Sequence, residues 1–169
     1  CALPILKECI YIVIISIFLH GCNENCDEVN TNDINGLWSL EVMEQKDINT
    51  GEWREWRNGM QGYLLYDDND NMALHLTTEG YEETDLRFPN FTDTISIDAL
   101  KHLTNSYVYF AKYKVDKENN IVEHSRISHS NPGDWNKVVR RGFELNKDTL
   151  IIRPLEDSNS GLRLTWIRY

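Results

Sequence analysis

Apolar and polar residues alternate with a period of two along most of the chain after residue 34. Trp38, Leu40 and Val42, for example, alternate with Ser39 and Glu41. Successive side chains of a β-strand point to opposite faces, so this alternation is typical of a strand with one buried face. The pattern predicts strands at about residues 38–42, 62–66, 72–76, 107–115, 121–128, 137–145, 149–153 and 162–169.

A helical spacing of apolar residues occurs once, over residues 95–103, with Thr94 or Ser96 as the candidate N-cap. The strands are short, and the spacing of their turns is typical of an all-β barrel or sandwich. The short connections favour a meander, and closing a meander removes the exposed sheet edges. We therefore predict an all-β fold, a small antiparallel up-and-down barrel of about eight or nine strands with one helix.

The N-terminal segment has a different character. An apolar run over residues 10–19 is too short to span a bilayer, but it suits the hydrophobic region of an export signal. The sequence Leu19-His20-Gly21-Cys22 resembles the lipobox of bacterial lipoproteins. That resemblance implies removal of residues 1–22, acylation of Cys22 and a place in the bacterial cell envelope, at the outer membrane or cell surface. A buried N-terminal helix or strand is the alternative.

Polar residues 23–33 then predict a flexible tether, which leaves residues 34–169 as one folded domain. Acidic residues directly after Cys22 also resemble the surface-export signal of Bacteroidetes lipoproteins. The tether and the lipid would hold the domain at a membrane.

Composition excludes several classes of function. The net charge is −10, which makes nucleic acid an unfavourable partner. All four cysteines precede residue 27, so no disulfide is expected in the domain, and no Cys or His cluster has the spacing of a zinc site. The common nucleophile, phosphate-binding, dinucleotide-binding and zinc-protease motifs are absent from the sequence. No metal or cofactor is predicted, and the oligomeric state is left open.

A series of short motifs resembles the lipocalin-like domain found in bacteria and fungi. In chain order they are Gly36-Leu37-Trp38-Ser39-Leu40, Gly62-Tyr63-Leu64-Leu65-Tyr66, Tyr109-Phe110-Ala111-Lys112-Tyr113-Lys114-Val115-Asp116, Val122-Glu123-His124, Asn131-Pro132 with Trp135, Val139-Arg140-Arg141, and Leu162-Arg163-Leu164-Thr165-Trp166-Ile167-Arg168. The resemblance covers about residues 34–169 and implies a small barrel with an inner cavity. One glycine, Gly142, stands as an extra residue relative to the pattern, and we expect it to form a β-bulge.

Polar residues on predicted strands are the candidates for a ligand site inside such a barrel. They are Tyr109, Tyr113, His124, Arg126, Arg140 (or its neighbour Arg141) and Arg163. An inward arginine with a tyrosine and a histidine would suit a carboxylate or phenolate on an otherwise apolar molecule. The alternatives are a structural histidine and arginines on the solvated outer face.

Three residues are expected to have structural roles. Trp38 and Trp166 are read as core residues that fill the barrel. In lipocalins proper, a tryptophan of the first strand packs against an arginine of the last strand. By that resemblance Trp38 and Arg168 would make a cation–π contact at the base of the barrel.

Three functions remain open. The first is a membrane-anchored protein that binds a small hydrophobic or amphipathic ligand in the barrel. The second is an isomerase or cyclase type of enzyme on the same barrel, with His124 as general base. The third is a structural or interaction lipoprotein with a filled barrel. The first two functions require a cavity of at least about 300 Å³.

Overall fold

The computed structural model describes residues 33–85, 95–156 and 161–169. The predicted signal, residues 1–22, and almost all of the predicted tether, residues 23–33, lie outside these ranges. The strands are β1 (Gly36–Lys46), β2 (Trp53–Glu55), β3 (Met60–Tyr66), β4 (Asn71–Thr78), β5 (Tyr107–Asp116), β6 (Ile121–His129), β7 (Val138–Asn146), β8 (Thr149–Pro154) and β9 (Leu162–Arg168), and the helix is α1 (Ile97–Asn105).

The strands form a closed barrel. From β3 to β9 each strand pairs antiparallel with the next, and β1 pairs with both β3 and β9. Eight strands therefore complete the ring, while the short β2 adds to the far end of β1. The prediction of an all-β, antiparallel up-and-down barrel with one helix is confirmed.

The helix begins where the sequence indicates a cap. The Ser96 side chain accepts a hydrogen bond from the Ala99 N–H at 3.1 Å, so Ser96 is the N-cap. Nearer its C-terminus, His102 Nδ1 lies 2.6 Å from Thr78 Oγ1 at the end of β4. These contacts position α1 beside the end of the barrel at which β4 finishes.

The expected bulge at Gly142 is wrong. The pairing of β7 with β6 and with β8 continues without a shift through Gly142. Register shifts occur instead between Leu40 and Val42 and between Phe110 and Ala111. Because β7 has no bulge, its inward side chains follow a single alternation over its whole length.

Aromatic residues fill the end of the barrel where β1 starts and β9 finishes. Trp38 is fully buried, and its indole N–H donates to the Ile34 carbonyl at 2.8 Å. The Arg168 guanidinium lies 4.2 Å from the centre of the Trp38 ring, which is the cation–π contact that the resemblance implies. Arg168 also donates to the main-chain oxygens of Asn35 at 2.7 Å and Asp33 at 3.0 Å. This end of the barrel is therefore plugged, and any inner space lies at the other end.

The Arg168 contacts generate a stability prediction. Arg168→Gln should lower the free energy of unfolding by about 2–3 kcal/mol, because it removes charge-assisted hydrogen bonds and the cation–π contact. Arg153→Gln is the matched control, since Arg153 pairs with the exposed Glu144, and it should cost at most about 0.5 kcal/mol. Urea unfolding of both variants measures the difference, and equal losses would contradict this role for Arg168.

Candidate functional site

A cavity of about 190 Å³ lies in the barrel at the end opposite the Trp38 plug. Aliphatic side chains from several strands form most of its wall, among them Leu64, Leu76, Ile152 and Leu164. The lining residues whose side chains carry polar atoms are His124, Arg126, Arg141, Tyr107, Tyr109, Trp56 and Trp166. The cavity is thus mainly apolar, with a small set of polar groups.

His124 lies at the centre of a buried chain of hydrogen bonds. Its Nε2 is 2.9 Å from the Tyr66 hydroxyl, and its Nδ1 is 3.0 Å from the Tyr109 hydroxyl. Only 2% of His124 is exposed, and burial together with the charges of Arg141 and Arg126 lowers its pKa to about 3. His124 is therefore neutral at physiological pH, with one ring nitrogen as donor and the other as acceptor.

The general-base hypothesis needs a ring nitrogen of His124 that can reach the ligand. Both nitrogens are already bound to tyrosine hydroxyls, and burial raises the pKa of Tyr66 and of Tyr109. A tyrosine with a raised pKa holds its proton, so the chain does not supply a strong base at the cavity. This arrangement favours a structural, ligand-orienting histidine.

Two arginines reach the cavity from neighbouring strands and differ in how well they are paired. Arg141, on β7, is in close contact with the carboxylate of Glu156 and also donates to the Arg140 carbonyl. Arg126, on β6, is 3.6 Å from Asp134 and lies over the Tyr109 ring at 4.9 Å from its centre. Asp134 is shared with Lys137 at 3.0 Å, so Arg126 is the more loosely paired of the two arginines.

Two side chains that line the cavity have a buried donor without a partner. These donors are Arg126 Nε and Trp166 Nε1, neither of which makes a hydrogen bond to any residue that the structure describes. A buried unpaired donor is costly, and native structures contain few of them. Both donors belong to side chains that line the cavity.

The structure brings together three of the six predicted ligand residues. Tyr109, His124 and Arg126 all line the cavity. Tyr113 also points into the barrel, but at the plugged end, where its hydroxyl is 2.6 Å from Asn35 Oδ1 and 2.8 Å from the Asp67 carbonyl oxygen. There, burial and nearby aspartates raise the pKa of Tyr113 to about 12.

The other two predicted residues do not line the cavity. Arg140 is exposed on the outer side of β7. Arg163 faces outward on β9, with its Nε 2.6 Å from Glu44 Oε2 and its guanidinium stacked 4.1 Å from the centre of the Trp53 ring.

Sequence reasoning missed Tyr66 as part of the site and left Arg141 undecided. On β7 the apolar residues Val139, Phe143 and Leu145 occupy the odd positions. Arg141 shares their face, so strict alternation across Gly142 would have placed it inside. Trp166 was read as core, and it is buried, but it lines the cavity as well.

The described residues contain no group of three or more His, Cys, Asp or Glu side chains that could hold a metal ion. Among the same residues, no helix has the length and apolarity to cross a membrane.

An up-and-down ring of eight strands with a cavity at one end is the architecture of small barrels that can hold one ligand. The chain belongs to the lipocalin-like domain family, whose model matches residues 35–169. A comparison with curated proteins finds no match.

Two solved structures from Bacteroides resemble the chain. An uncharacterised protein from Bacteroides eggerthii has a TM-score of 0.43 and 9% identity, covering 81% of this chain and 100% of that one. A lipocalin-like protein from Bacteroides uniformis has a TM-score of 0.42 and 9% identity, covering 80% and 97% respectively.

The low pKa of His124 generates a prediction of pH dependence. Because the pKa is about 3 in the folded protein and about 6.5 in the unfolded chain, the unfolded state binds the proton first as the pH falls. This residue's contribution to stability is therefore complete above about pH 6.5 and decreases as the pH falls from there towards 3.

Urea unfolding at pH 7.5 and 5.5 tests this prediction. The loss of unfolding free energy between the two pH values should be about 1 kcal/mol smaller in His124→Gln than in the original chain. The exposed His75 provides the matched control, and His75→Gln should keep the original pH dependence. An unchanged dependence in His124→Gln would show that His124 is not held neutral.

Proposed function

We propose that this protein is a cell-envelope lipoprotein whose barrel binds one small, largely apolar molecule. The observation that carries the proposal is the cavity of about 190 Å³, with an aliphatic wall and a few grouped polar side chains. A barrel with a structural role alone would be expected to fill this space with side chains, as it does at the Trp38 end.

The size of the cavity restricts the ligand. The volume of about 190 Å³ does not reach the minimum of about 300 Å³ stated above for a binding barrel, a figure that applies to sites for drug-sized molecules. A dry protein cavity of about 150 Å³ binds benzene. We therefore expect a ligand with about one ring, or a branched aliphatic chain of similar volume, rather than a long lipid.

Membrane attachment is the second part of the proposal, and it depends on Cys22, which lies outside the described residues. Two or three acyl chains give lasting attachment, since each buried CH₂ contributes about 0.8 kcal/mol. The net charge of −10 disfavours contact with an anionic membrane surface, so the lipid would have to supply the anchoring energy.

The binding proposal predicts that p-xylene enters the cavity. In sealed equilibrium dialysis of the full chain, with a protein-free blank of the same detergent, we expect saturable binding of one p-xylene per chain. Leu164→Phe should abolish binding, because the larger ring occupies the cavity that Leu164 lines. Leu65→Phe, at an exposed position on the outer face, should bind as the original chain does. Absence of binding to the original chain, or equal binding by both variants, would contradict the proposal.

The anchoring proposal predicts different effects for two nearby cysteines. When the full chain is produced in a bacterium that lipidates exported proteins, Cys22→Ser should lose incorporated palmitate and leave the membrane fraction. Cys26→Ser removes a thiol only four positions away and should retain both. If Cys22→Ser stays labelled and membrane-bound, residues 19–22 are not a lipidation site.

A further inference from the structure

We infer that the ligand is a small carboxylic acid, and that Arg126, Tyr109 and Trp166 bind its carboxylate with N–H and O–H donors. The inference rests on the proposed function, since it names the chemistry of the molecule in the same cavity.

Two of the four buried polar side-chain atoms that lack a partner among the described residues belong to the cavity wall, and both are donors. Arg126 Nε and Trp166 Nε1 each carry one hydrogen, and neither can accept a hydrogen bond. Because a buried donor without a partner costs about 1–3 kcal/mol, a ligand that supplies an acceptor to each recovers that loss. A ligand hydroxyl or amine hydrogen would find no acceptor at either atom.

The hydrogen bond of Tyr66 determines whether the Tyr109 hydroxyl is a donor or an acceptor towards the cavity. Tyr66 is 1% exposed, and its hydroxyl makes its hydrogen bond to His124 Nε2. A buried hydroxyl hydrogen needs an acceptor, so Tyr66 donates and Nε2 accepts. In a neutral imidazole the other nitrogen, Nδ1, then carries the hydrogen and donates to the Tyr109 oxygen.

The hydroxyl hydrogen of Tyr109 is thereby left for a further partner. Its oxygen already accepts from His124 Nδ1, so the O–H is free to donate into the cavity that Tyr109 lines. Three side chains that carry donors, one each from β5, β6 and β9, therefore line one small cavity. Such a set is suited to a group with two or more acceptor lone pairs on neighbouring oxygens.

Charge favours an anion over a neutral carbonyl group. Arg126 has 10% of its side chain exposed, and its counterion Asp134 is 3.6 Å away and is shared with Lys137. A desolvated guanidinium needs a well-placed anion, and a carboxylate matches its planar donors. Arg141 is already paired with Glu156, so Arg126 is the arginine with capacity for a ligand.

The cavity volume then restricts the size of the apolar part of the acid. With about 190 Å³ available and a mostly aliphatic wall, the acid is a single-ring aromatic or a branched aliphatic carboxylic acid. The apolar part would contact Leu64, Leu76 and Ile152, while the carboxylate faces Arg126.

A matched pair of probes tests the inference. p-Xylene and 4-methylbenzoate differ only in that one methyl group is replaced by a carboxylate. In equilibrium dialysis of the full chain, 4-methylbenzoate should bind at least about tenfold more tightly than p-xylene, because charge-assisted hydrogen bonds replace unpaired donors. In a cavity without such donors the order would be reversed, since burying a carboxylate is costly.

Variants then locate the preference within the site. Arg126→Gln should abolish the tenfold preference for the acid over p-xylene. Arg140→Gln removes an exposed arginine of the neighbouring strand and should keep the preference. Equal loss in both variants would mean that long-range charge attracts the acid, and would overturn the assignment to Arg126.

Tyr66→Phe tests the positioning role of Tyr66, which does not itself line the cavity. Without the Tyr66 donor, His124 can accept at Nδ1 instead, and the Tyr109 hydrogen is drawn away from the cavity. We expect the acid-to-xylene ratio to fall at least threefold while p-xylene affinity is unchanged. A merely structural role would weaken both probes equally, and that result would overturn the tautomer assignment.

The outcomes separate this inference from the proposed function. If p-xylene binds in the cavity and 4-methylbenzoate binds no more tightly, the acid assignment is wrong and the binding function stands. If neither probe binds, the binding function fails and the acid assignment fails with it. If both probes bind and the acid binds more tightly, with that preference lost in Arg126→Gln and retained in Arg140→Gln, both are supported.

Discussion

Pairing of the first barrel strand with the last is the constraint on which the rest of the structure depends. The β1–β9 ladder turns a meander into a ring, and only a ring encloses the inward half of each strand. Arg168 reinforces this closure, because it binds the main chain that leads into β1 and covers Trp38. The plug that results confines the remaining space to the opposite end. Closure thus determines both that a cavity exists and where it lies.

The Tyr66–His124–Tyr109 chain connects the packed half of the barrel to the cavity. Tyr66 packs edge-on against Tyr113 at the plugged end, with ring centres 4.8 Å apart, and Tyr109 lines the cavity. Burial keeps His124 neutral, so the direction of one hydroxyl fixes the direction of the other. A polar chain in which every member has a partner is compatible with a dense core, whereas an unpaired histidine at the same depth would be costly.

Much of the fold was predictable because the alternation of apolar and polar residues is a local property of each strand. The site depends also on strand register and on position along the barrel axis, which alternation does not show. Alternation and a candidate cap were enough to predict the eight strands of the ring, the helix and the barrel class, but not the short strand β2. On β9, the buried Leu164 and Trp166 show which alternate positions point into the barrel, and Arg163 lies at a position that points outward.

On β7, the sequence alone does not decide whether Arg140 or Arg141 points inward, because a bulge at Gly142 would reverse the alternation. Only the observed strand register shows that Gly142 pairs regularly. Tyr113 points into the barrel, as alternation predicts, but it lies at the plugged end. The position of a residue along the barrel axis depends on how neighbouring strands are staggered, which the sequence pattern does not show.

The polar groups of the cavity are arranged in a way that packing alone does not require. A core stabilised only for folding would pair Arg126 fully or replace it with an apolar side chain, because a desolvated guanidinium lowers stability unless its donors are bound. Instead Arg126 has one distant, shared carboxylate and a free Nε, while Arg141, beside it in the same wall, is closely paired. The donors that lack a close partner therefore belong to Arg126 and not to Arg141, and they lie on one side of an apolar cavity. A molecule that satisfies them would stabilise the folded barrel as it binds.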